Sequence, residues 1–283
     1  MPDPHGVTAV SRAAGLVKAA HPGPSAAVTA VGTALGAAAG APARTCVLLA
    51  LALLSGQLSI GWCNDAVDRG RDVAAGRRDK PVALGVLTAR AVAVAAAASL
   101  AVCVPLSFAL GAAAGTVHLV AVGGGWAYDL YLKRTAASFV PFAVSFGLLP
   151  AVATLSLPQP VLPPWWATVT GALLGVAAHL ANALPDLQDD VAAGVLGLPQ
   201  RLGAGPTRVL AGVLLAAAAV LLTLAPSVPL GAAGVVLVLA AGALLVLAFG
   251  RRWPDGSRAP FALTVVAALA VVGLLVARGA SLA

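Results

Sequence analysis

The chain has 283 residues, of which 60% are hydrophobic and only 10% are charged, with a net charge of +7. Soluble domains carry about 25% charged residues, so a chain this apolar cannot cover its own core with a polar surface, and hydrocarbon is the solvent that fits. The positive charge does not point to nucleic acid: the basic residues sit in short connections between apolar runs, which is a signature of membrane topology.

The chain opens with a mildly polar segment, 1–24, that has no basic region followed by a short apolar run and a cleavage site, so no signal peptide is expected. Apolar runs near the ~20 residues that a bilayer core takes follow at 25–43, 45–63, 91–111, 113–131, 137–157, 164–184, 207–225, 229–249 and 260–277. They lack the ten-residue alternation of barrel strands, which leaves helix as the spanning structure. The first and fourth are rich in Ala and Gly and suit close helix packing. Pro141, Pro150 and Pro185 are expected to kink or end helices. No hydrophilic stretch is long enough for a second domain, so residues 1–283 read as a single all-α polytopic membrane domain, a nine-transmembrane-helix bundle.

Sorting Lys and Arg by connection sets the orientation. With a cytoplasmic N-terminus, fifteen of the seventeen lie inside and only Arg44 and Arg278 outside. Segment 1–24 is then cytoplasmic, the C-terminus is outside, and the plasma membrane is the expected location. Cys46, Cys63 and Cys103 lie in or beside apolar runs without CxxC spacing, and read as small buried hydrophobes.

The acids are sorted as sharply. Glutamate is absent, and eight of the ten acids fall in the connections after spans two, four and six, all on the cytoplasmic side. After span two comes Asn64-Asp65-Ala66-Val67-Asp68-Arg69-Gly70-Arg71-Asp72. On a helix, Asp65, Asp68 and Asp72 share one face, with Asn64 beside them. Three like charges on one face call for a cation, and Mg²⁺ takes hard oxygen ligands and substrate phosphates. The plainer alternative is a solvated helix end whose acids pair with Arg69, Arg71, Arg77 and Arg78. Gln57 precedes Asn64 by seven residues, and the stripe they form suggests a wet cavity rather than a lipid face.

After span four, Trp126-Ala127-Tyr128-Asp129-Leu130-Tyr131-Leu132-Lys133-Arg134 puts a Lys–Arg pair on the same side. Lys offers phosphate a point charge and Arg a planar fork, although flanking basic residues also follow from topology alone. Arg77, Arg78 and Lys80 extend the phosphate contacts, and Arg201 is a further candidate. Trp62, Trp126, Tyr128 and Tyr131 are the aromatics near these clusters; they are belt residues or rings that steady a cation, worth about 2 kcal/mol when desolvated.

Span six ends in a second cluster. Asn182, Asp186 and Asp190 repeat at i, i+4, i+8, with His179 one turn earlier and Asp189 on the flank as either ligand or cap. Pro185 makes that alignment approximate. His179 and His118 read more simply as core histidines bonded within the bundle. Two carboxylate clusters at one end of one bundle suggest a shared two-metal site that neutralises a diphosphate leaving group.

These pieces together resemble the UbiA superfamily of membrane prenyltransferases. The match runs through Asn64-Asp65-x-x-Asp68-x-x-x-Asp72, Lys80-Pro81-x-x-x-Gly85, Tyr128 followed by Lys133-Arg134, Asp186-x-x-x-Asp190-x-x-x-Gly194, and Arg201-x-Gly203. The resemblance implies a nine-helix bundle open laterally to the bilayer. Asn64, Asp68, Asp72, Asp186 and Asp190 would hold Mg²⁺ and diphosphate, with Asp65 as a further possible ligand. Lys133, Arg134 and Arg77 would contact the diphosphate, and Tyr128, Asn182 and Arg201 would complete the substrate site. One position departs: His21-Pro22 stands where members often show Arg-Pro, so the acceptor is not carried over.

The implied reaction is Mg²⁺-dependent transfer of a prenyl group from a prenyl diphosphate to a hydrophobic acceptor, an aromatic or quinone precursor, within the lipid bilayer. A terpene cyclase of the same family, folding one prenyl chain onto itself, keeps the donor site and needs no acceptor. A transporter or a phosphoryl-lipid transferase fits less well. The acids gather at one face rather than at mid-bilayer, where transport sites lie, and the pattern of small residues between the aspartates of a phosphoryl-lipid transferase is not found here.

Overall fold

The computed structural model describes residues 9–74, 76–225, 227, 229–249 and 259–283. The first eight residues of segment 1–24, and the connection 250–258 with its basic residues Arg251, Arg252 and Arg258, lie outside the described residues. Among the described residues there are twelve α-helices, three short 3₁₀ turns and no strand. In chain order the helices are α1 (Ala9–Ala19), α2 (Pro22–Ala38), α3 (Ala43–Ala74), α4 (Ala89–Ala109), α5 (Ala112–Leu130), α6 (Val140–Leu155), α7 (Trp165–Ala183), α8 (Leu187–Ala192), α9 (Leu198–Leu202), α10 (Ala204–Leu224), α11 (Ala232–Phe249) and α12 (Ala259–Ala277).

Each of the nine expected spans is overlain by one long helix: α2 to α7 and α10 to α12. Among the described residues, four stretches are long and apolar enough to cross a membrane: Ala43–Ala74, Ala89–Ala109, Ala136–Leu155 and Ala204–Leu224. Ala232–Ala248 and Ala262–Ala277 are apolar but shorter.

The chief departure from the expected spans is α3. Its apolar run ends near Cys63, yet the helix continues to Ala74, for 32 residues. At 1.5 Å per residue that is about 48 Å, against roughly 30 Å for a bilayer core. The extension carries Asp65, Asp68 and Asp72 on the same rod, and all three are buried.

The prolines act as their positions require. Pro141 sits in the first turn of α6, where an N–H is not needed. Pro150 lies within α6, and Pro105 within α4. Pro185 follows the last residue of α7 by two positions, and the chain turns there into α8. At the start of α2, His21 has φ 51, the one positive value outside glycine among the described residues. The following Pro22 disfavours the right-handed helical region at His21, so the chain turns sharply between α1 and α2.

Sequential helices pack as neighbours, α3 on α2 and α4, α6 on α5 and α7, α11 on α12. α10 packs on α7, and α12 reaches back to α2, which closes the bundle. Small residues set the tightest contact. A Cβ on Gly171 or Gly175 of α7 would lie 2.4 Å or 2.3 Å from the carbonyl oxygens of Phe146 and Phe142 on α6. The apolar core runs through Leu35, Leu53, Leu149, Trp166, Leu215 and Leu274, drawn from most of these helices. The C-terminal ends of α3, α5 and α7 meet at one end of the bundle, and they carry the aspartates.

Candidate active site

At that end lies a polar cavity of about 310 Å³. Five carboxylates line it, Asp68, Asp72, Asp79, Asp186 and Asp190, with four cations, Arg71, Arg77, Lys80 and Lys133. The two aspartate clusters expected from sequence therefore share one space. They are joined by Arg77, whose Nε and Nη2 each donate to Asp79 at 2.8 Å while Nη1 stands 3.5 Å from Asp186. The Arg77 fork holds the Asp79 carboxyl well below the usual carboxylate range, and Asp79 in turn raises the guanidinium.

Asp68 is the centre of the first cluster and is 2% exposed. One oxygen accepts from Lys133 Nζ and the other from Arg71 Nη2 at 2.7 Å. Lys133 reaches it from the 3₁₀ turn Leu132–Arg134 that follows α5. A carboxylate this buried is tolerated only when paired and hydrogen-bonded. Asp72 is also buried and lines the same wall.

Asp65 is placed differently. Although it shares the helix face, its Oδ1 accepts from Lys80 Nζ at 2.5 Å and lies 3.0 Å from His21 Nε2, and it does not line the cavity. It anchors the turn before α2 and the loop after α3 rather than facing the cavity with Asn64, Asp68 and Asp72.

Pro185 interrupts the second cluster as expected, yet the register survives. The backbone N–H of Asp190 donates to the carbonyl of Asp186 at 2.8 Å, so the two side chains remain one turn apart. Both line the cavity, as does Asn182. Asp190 is half-buried and accepts from Gln200 Nε2 at 2.9 Å, whereas Asp189 is exposed and outside the lining. Burial pushes the Asp190 carboxyl above its ordinary range, against the pull of Arg71 and of the Gln200 hydrogen bond. Among the described residues, no three imidazole, thiol or carboxyl groups converge closely enough to hold an ion by themselves.

Of the expected substrate contacts, Asn64, Arg77, Tyr128 and Asn182 line the cavity, and Arg134 and Arg201 do not. Arg134 is exposed, because successive side chains of a 3₁₀ turn are about 120° apart and Lys133 takes the inward place. Arg201 Nε donates to the Leu196 carbonyl at 2.8 Å and ties the loop before α9.

Asp129 was not singled out by sequence. It is 2% exposed, and its Oδ1 accepts from Asn64 Nδ2 at 2.8 Å. A carboxylate can only accept here, so the amide nitrogen of Asn64 is held toward Asp129 and its oxygen is left for the cavity. The one available signal was an aspartate at the end of an apolar span; nothing in the chain pairs it with a residue 65 positions earlier.

Tyr128 also lines a second, apolar cavity of about 120 Å³ bounded by α2, α3, α5 and α6. The ring packs edge-on against Phe142 at 5.0 Å and His179 at 5.7 Å. His179 stacks on Phe142 at 4.5 Å and pairs with Ser138 Oγ at 3.0 Å, so it is bonded within the bundle, as is His118 through Ser107.

The model of the UbiA prenyltransferase family matches residues 25–269. No curated protein matches in sequence. Among solved structures, a UbiA homolog from Archaeoglobus fulgidus bound to GPP and Mg²⁺ superimposes with a TM-score of 0.70 at 16% identity, covering 93% of this chain and 99% of that one. The apo UbiA homolog from Aeropyrum pernix K1 gives 0.68 at 17% identity, with 87% and 95% covered. A digeranylgeranylglyceryl phosphate synthase gives 0.67 at 12% identity, with 96% and 99% covered. The bundle, its nine long helices and the family match agree: this chain belongs to the UbiA prenyltransferase family.

Proposed function

We propose that the chain is an integral membrane, Mg²⁺-dependent prenyltransferase that takes a prenyl diphosphate and passes the prenyl group to a hydrophobic acceptor, an aromatic ring or quinone precursor. The observation that carries this is the single polar cavity on which the α3 and α7–α8 carboxylates converge with Lys133 and Arg77, sharing Tyr128 with an apolar cavity. A diphosphate with a hydrocarbon tail has that same two-part character.

The donor set fits Mg²⁺. Asn64, Asp68 and Asp72 on one wall and Asp186 and Asp190 on the other offer only hard oxygen atoms, the kind this ion takes. They do not close a cage unaided, and Mg²⁺ sites of this kind are completed by substrate phosphate oxygens. The chemistry the ion supplies when bound is neutralisation of diphosphate charge.

This chain's residues do the rest. Lys133 and Arg77, now paired with Asp68 and with Asp79 and Asp186, turn to the diphosphate oxygens as they arrive. The apolar cavity orients the tail so that the allylic carbon lies beside Tyr128, whose ring face steadies positive charge there. The allylic C–O bond breaks with its electron pair leaving on the diphosphate, the acceptor bonds to that carbon, and the acceptor's proton passes to a carboxylate of the aspartate clusters. The nine long helices are read as nine spans, with the cavity and N-terminus cytoplasmic and the protein in the plasma membrane.

The test is product analysis by mass spectrometry with purified protein, Mg²⁺, and a panel of donors and acceptors. Transfer is expected only with an acceptor present, and Asp68→Ala and Asp186→Ala should each abolish it. Wild-type rates in either variant refute the site. A cyclic hydrocarbon formed from donor alone assigns the cyclase reaction instead.

A further inference from the structure

The apolar cavity is not apolar throughout. Its walls fall in one order on three helices. Ile60, Tyr128 and Phe142 stand at the mouth end, and Leu53, His118, Leu149 and Val152 at the far end. From Tyr128 to His118 is ten residues of α5, about 15 Å of depth at 1.5 Å per residue. Gln57 stands seven residues below Asn64 on α3, about 10 Å down. Gln57 and His118 thus lie along a shaft whose other polar groups are the Tyr128 hydroxyl and the Ser145 hydroxyl, the latter already donating to the Ala121 carbonyl at 2.8 Å.

His118 is 3% exposed, and its tautomer is fixed by its partners. The Ser107 hydroxyl donates to the Cys103 carbonyl at 2.7 Å, so Ser107 Oγ accepts from His118 Nδ1 at 2.8 Å. The neutral ring then presents a bare lone pair on Nε2. That nitrogen faces Gly56, where an added Cβ would lie only 3.2 Å away, so glycine keeps the space beside it open. Water or a hydroxyl can partner this lone pair and the Gln57 amide; a hydrocarbon tail can do neither.

We infer that Gln57 and His118 set the donor's length, and that the donor is a short prenyl diphosphate of one or two isoprene units. This rests on the prenyl diphosphate reading above. An extended chain advances roughly 1.2 Å per bond, so each four-bond isoprene unit reaches about 5 Å. One unit stops above Gln57 and two reach its level. A third or fourth strips the polar pair of its partners and leaves buried groups unsatisfied, which lowers affinity roughly tenfold or more.

The experiment is binding rather than turnover. Uncleavable prenyl S-thiolodiphosphates of one to four isoprene units, with inorganic diphosphate as the head-group control, are titrated into purified protein in Mg²⁺ and read by thermal stabilisation. In the wild type, affinity should rise from inorganic diphosphate to the one- and two-unit analogues, then fall at least tenfold by four units. In Gln57→Leu and His118→Leu, the four-unit to one-unit affinity ratio should rise about tenfold. Wild-type protein that binds four units as tightly as two overturns the inference without any variant, as do folded variants whose ratio is unchanged. Failure of every analogue and of inorganic diphosphate to bind would instead overturn the prenyl diphosphate reading, and this inference with it.

Discussion

Replacing Asp129 with leucine removes a side chain that lines neither described cavity and should nonetheless weaken the proposed metal site. Asp129 is 2% exposed, spends one oxygen on Asn64 Nδ2 at 2.8 Å, and keeps the other buried without a partner. Its contribution is orientation: with the carboxylate gone, the Asn64 amide is free to rotate its nitrogen into the cavity. A hydrogen bond to a charged group is worth about 1.5–3 kcal/mol, and loss of an outer partner of a metal ligand typically lowers metal affinity about 10–100-fold. Asp129→Leu should therefore raise the Mg²⁺ concentration needed for half-maximal stabilisation by inorganic diphosphate by at least about tenfold. Asp129→Asn, which can still offer an acceptor oxygen to the amide, should recover most of the loss. The assay is a Mg²⁺ titration at fixed diphosphate, followed by thermal unfolding. A folded leucine variant with a Mg²⁺ midpoint within twofold of wild type refutes the orienting role.

Other outcomes follow from the same contacts. Lys133→Met removes one of two cations from a buried carboxylate, and breaking such a pair costs about 3–5 kcal/mol when no second partner remains. Because Arg71 still holds Asp68, a smaller fall in melting temperature is expected without Mg²⁺ than in a Lys133→Met/Arg71→Met double variant, with diphosphate affinity reduced in both. The Arg77–Asp79 clamp has a depressed carboxyl, so its contribution is fully present above the unfolded value of about 4 and is lost only as pH falls through the lower folded value. Hydrogen exchange across 76–80, corrected for intrinsic rates, should then show constant protection from pH 5 to 8; a loss of protection near pH 6 contradicts it. Gly175→Ala sets a Cβ 2.3 Å from a backbone carbonyl. Overpacking of this kind costs about 1–3 kcal/mol, seen as a lower melting temperature and less monodisperse protein; wild-type stability would show that α6 and α7 can part freely.

The long helices were legible because hydrocarbon demands a near-unbroken apolar run, and that pattern needs no tertiary information. The convergence of the two aspartate clusters was legible because sorting of the basic residues put both connections on one side, and both clusters do line one cavity. What escaped was direction. Asp65 and Asp68 share a helix face, yet one turns to His21 and Lys80 and the other to Lys133. Those partners come from the turn before α2, the loop after α3 and the 3₁₀ turn after α5, none of which periodicity fixes. The same limit hid Asp129, and it gave Arg134 an inward place that Lys133 alone occupies. Pro185 breaks the helix before Asp186, and the backbone bond from Asp190 to Asp186 just beyond it keeps those two aspartates one turn apart.

The length of α3 makes it a measuring rod. A single uninterrupted helix joins Leu53 at the foot of the shaft to Asp72 at its mouth, so tail pocket and carboxylates cannot be adjusted separately. Inserting one residue between them would turn everything beyond it by about 100° and push it outward by about 1.5 Å. Asp68 and Asp72 would swing off the cavity wall while every apolar contact below the insertion stayed in place. Insertions and deletions within 53–72 are therefore expected to destroy the site outright, and the connection just beyond Ala74 is tied to the same register through Arg77, Asp79 and Lys80.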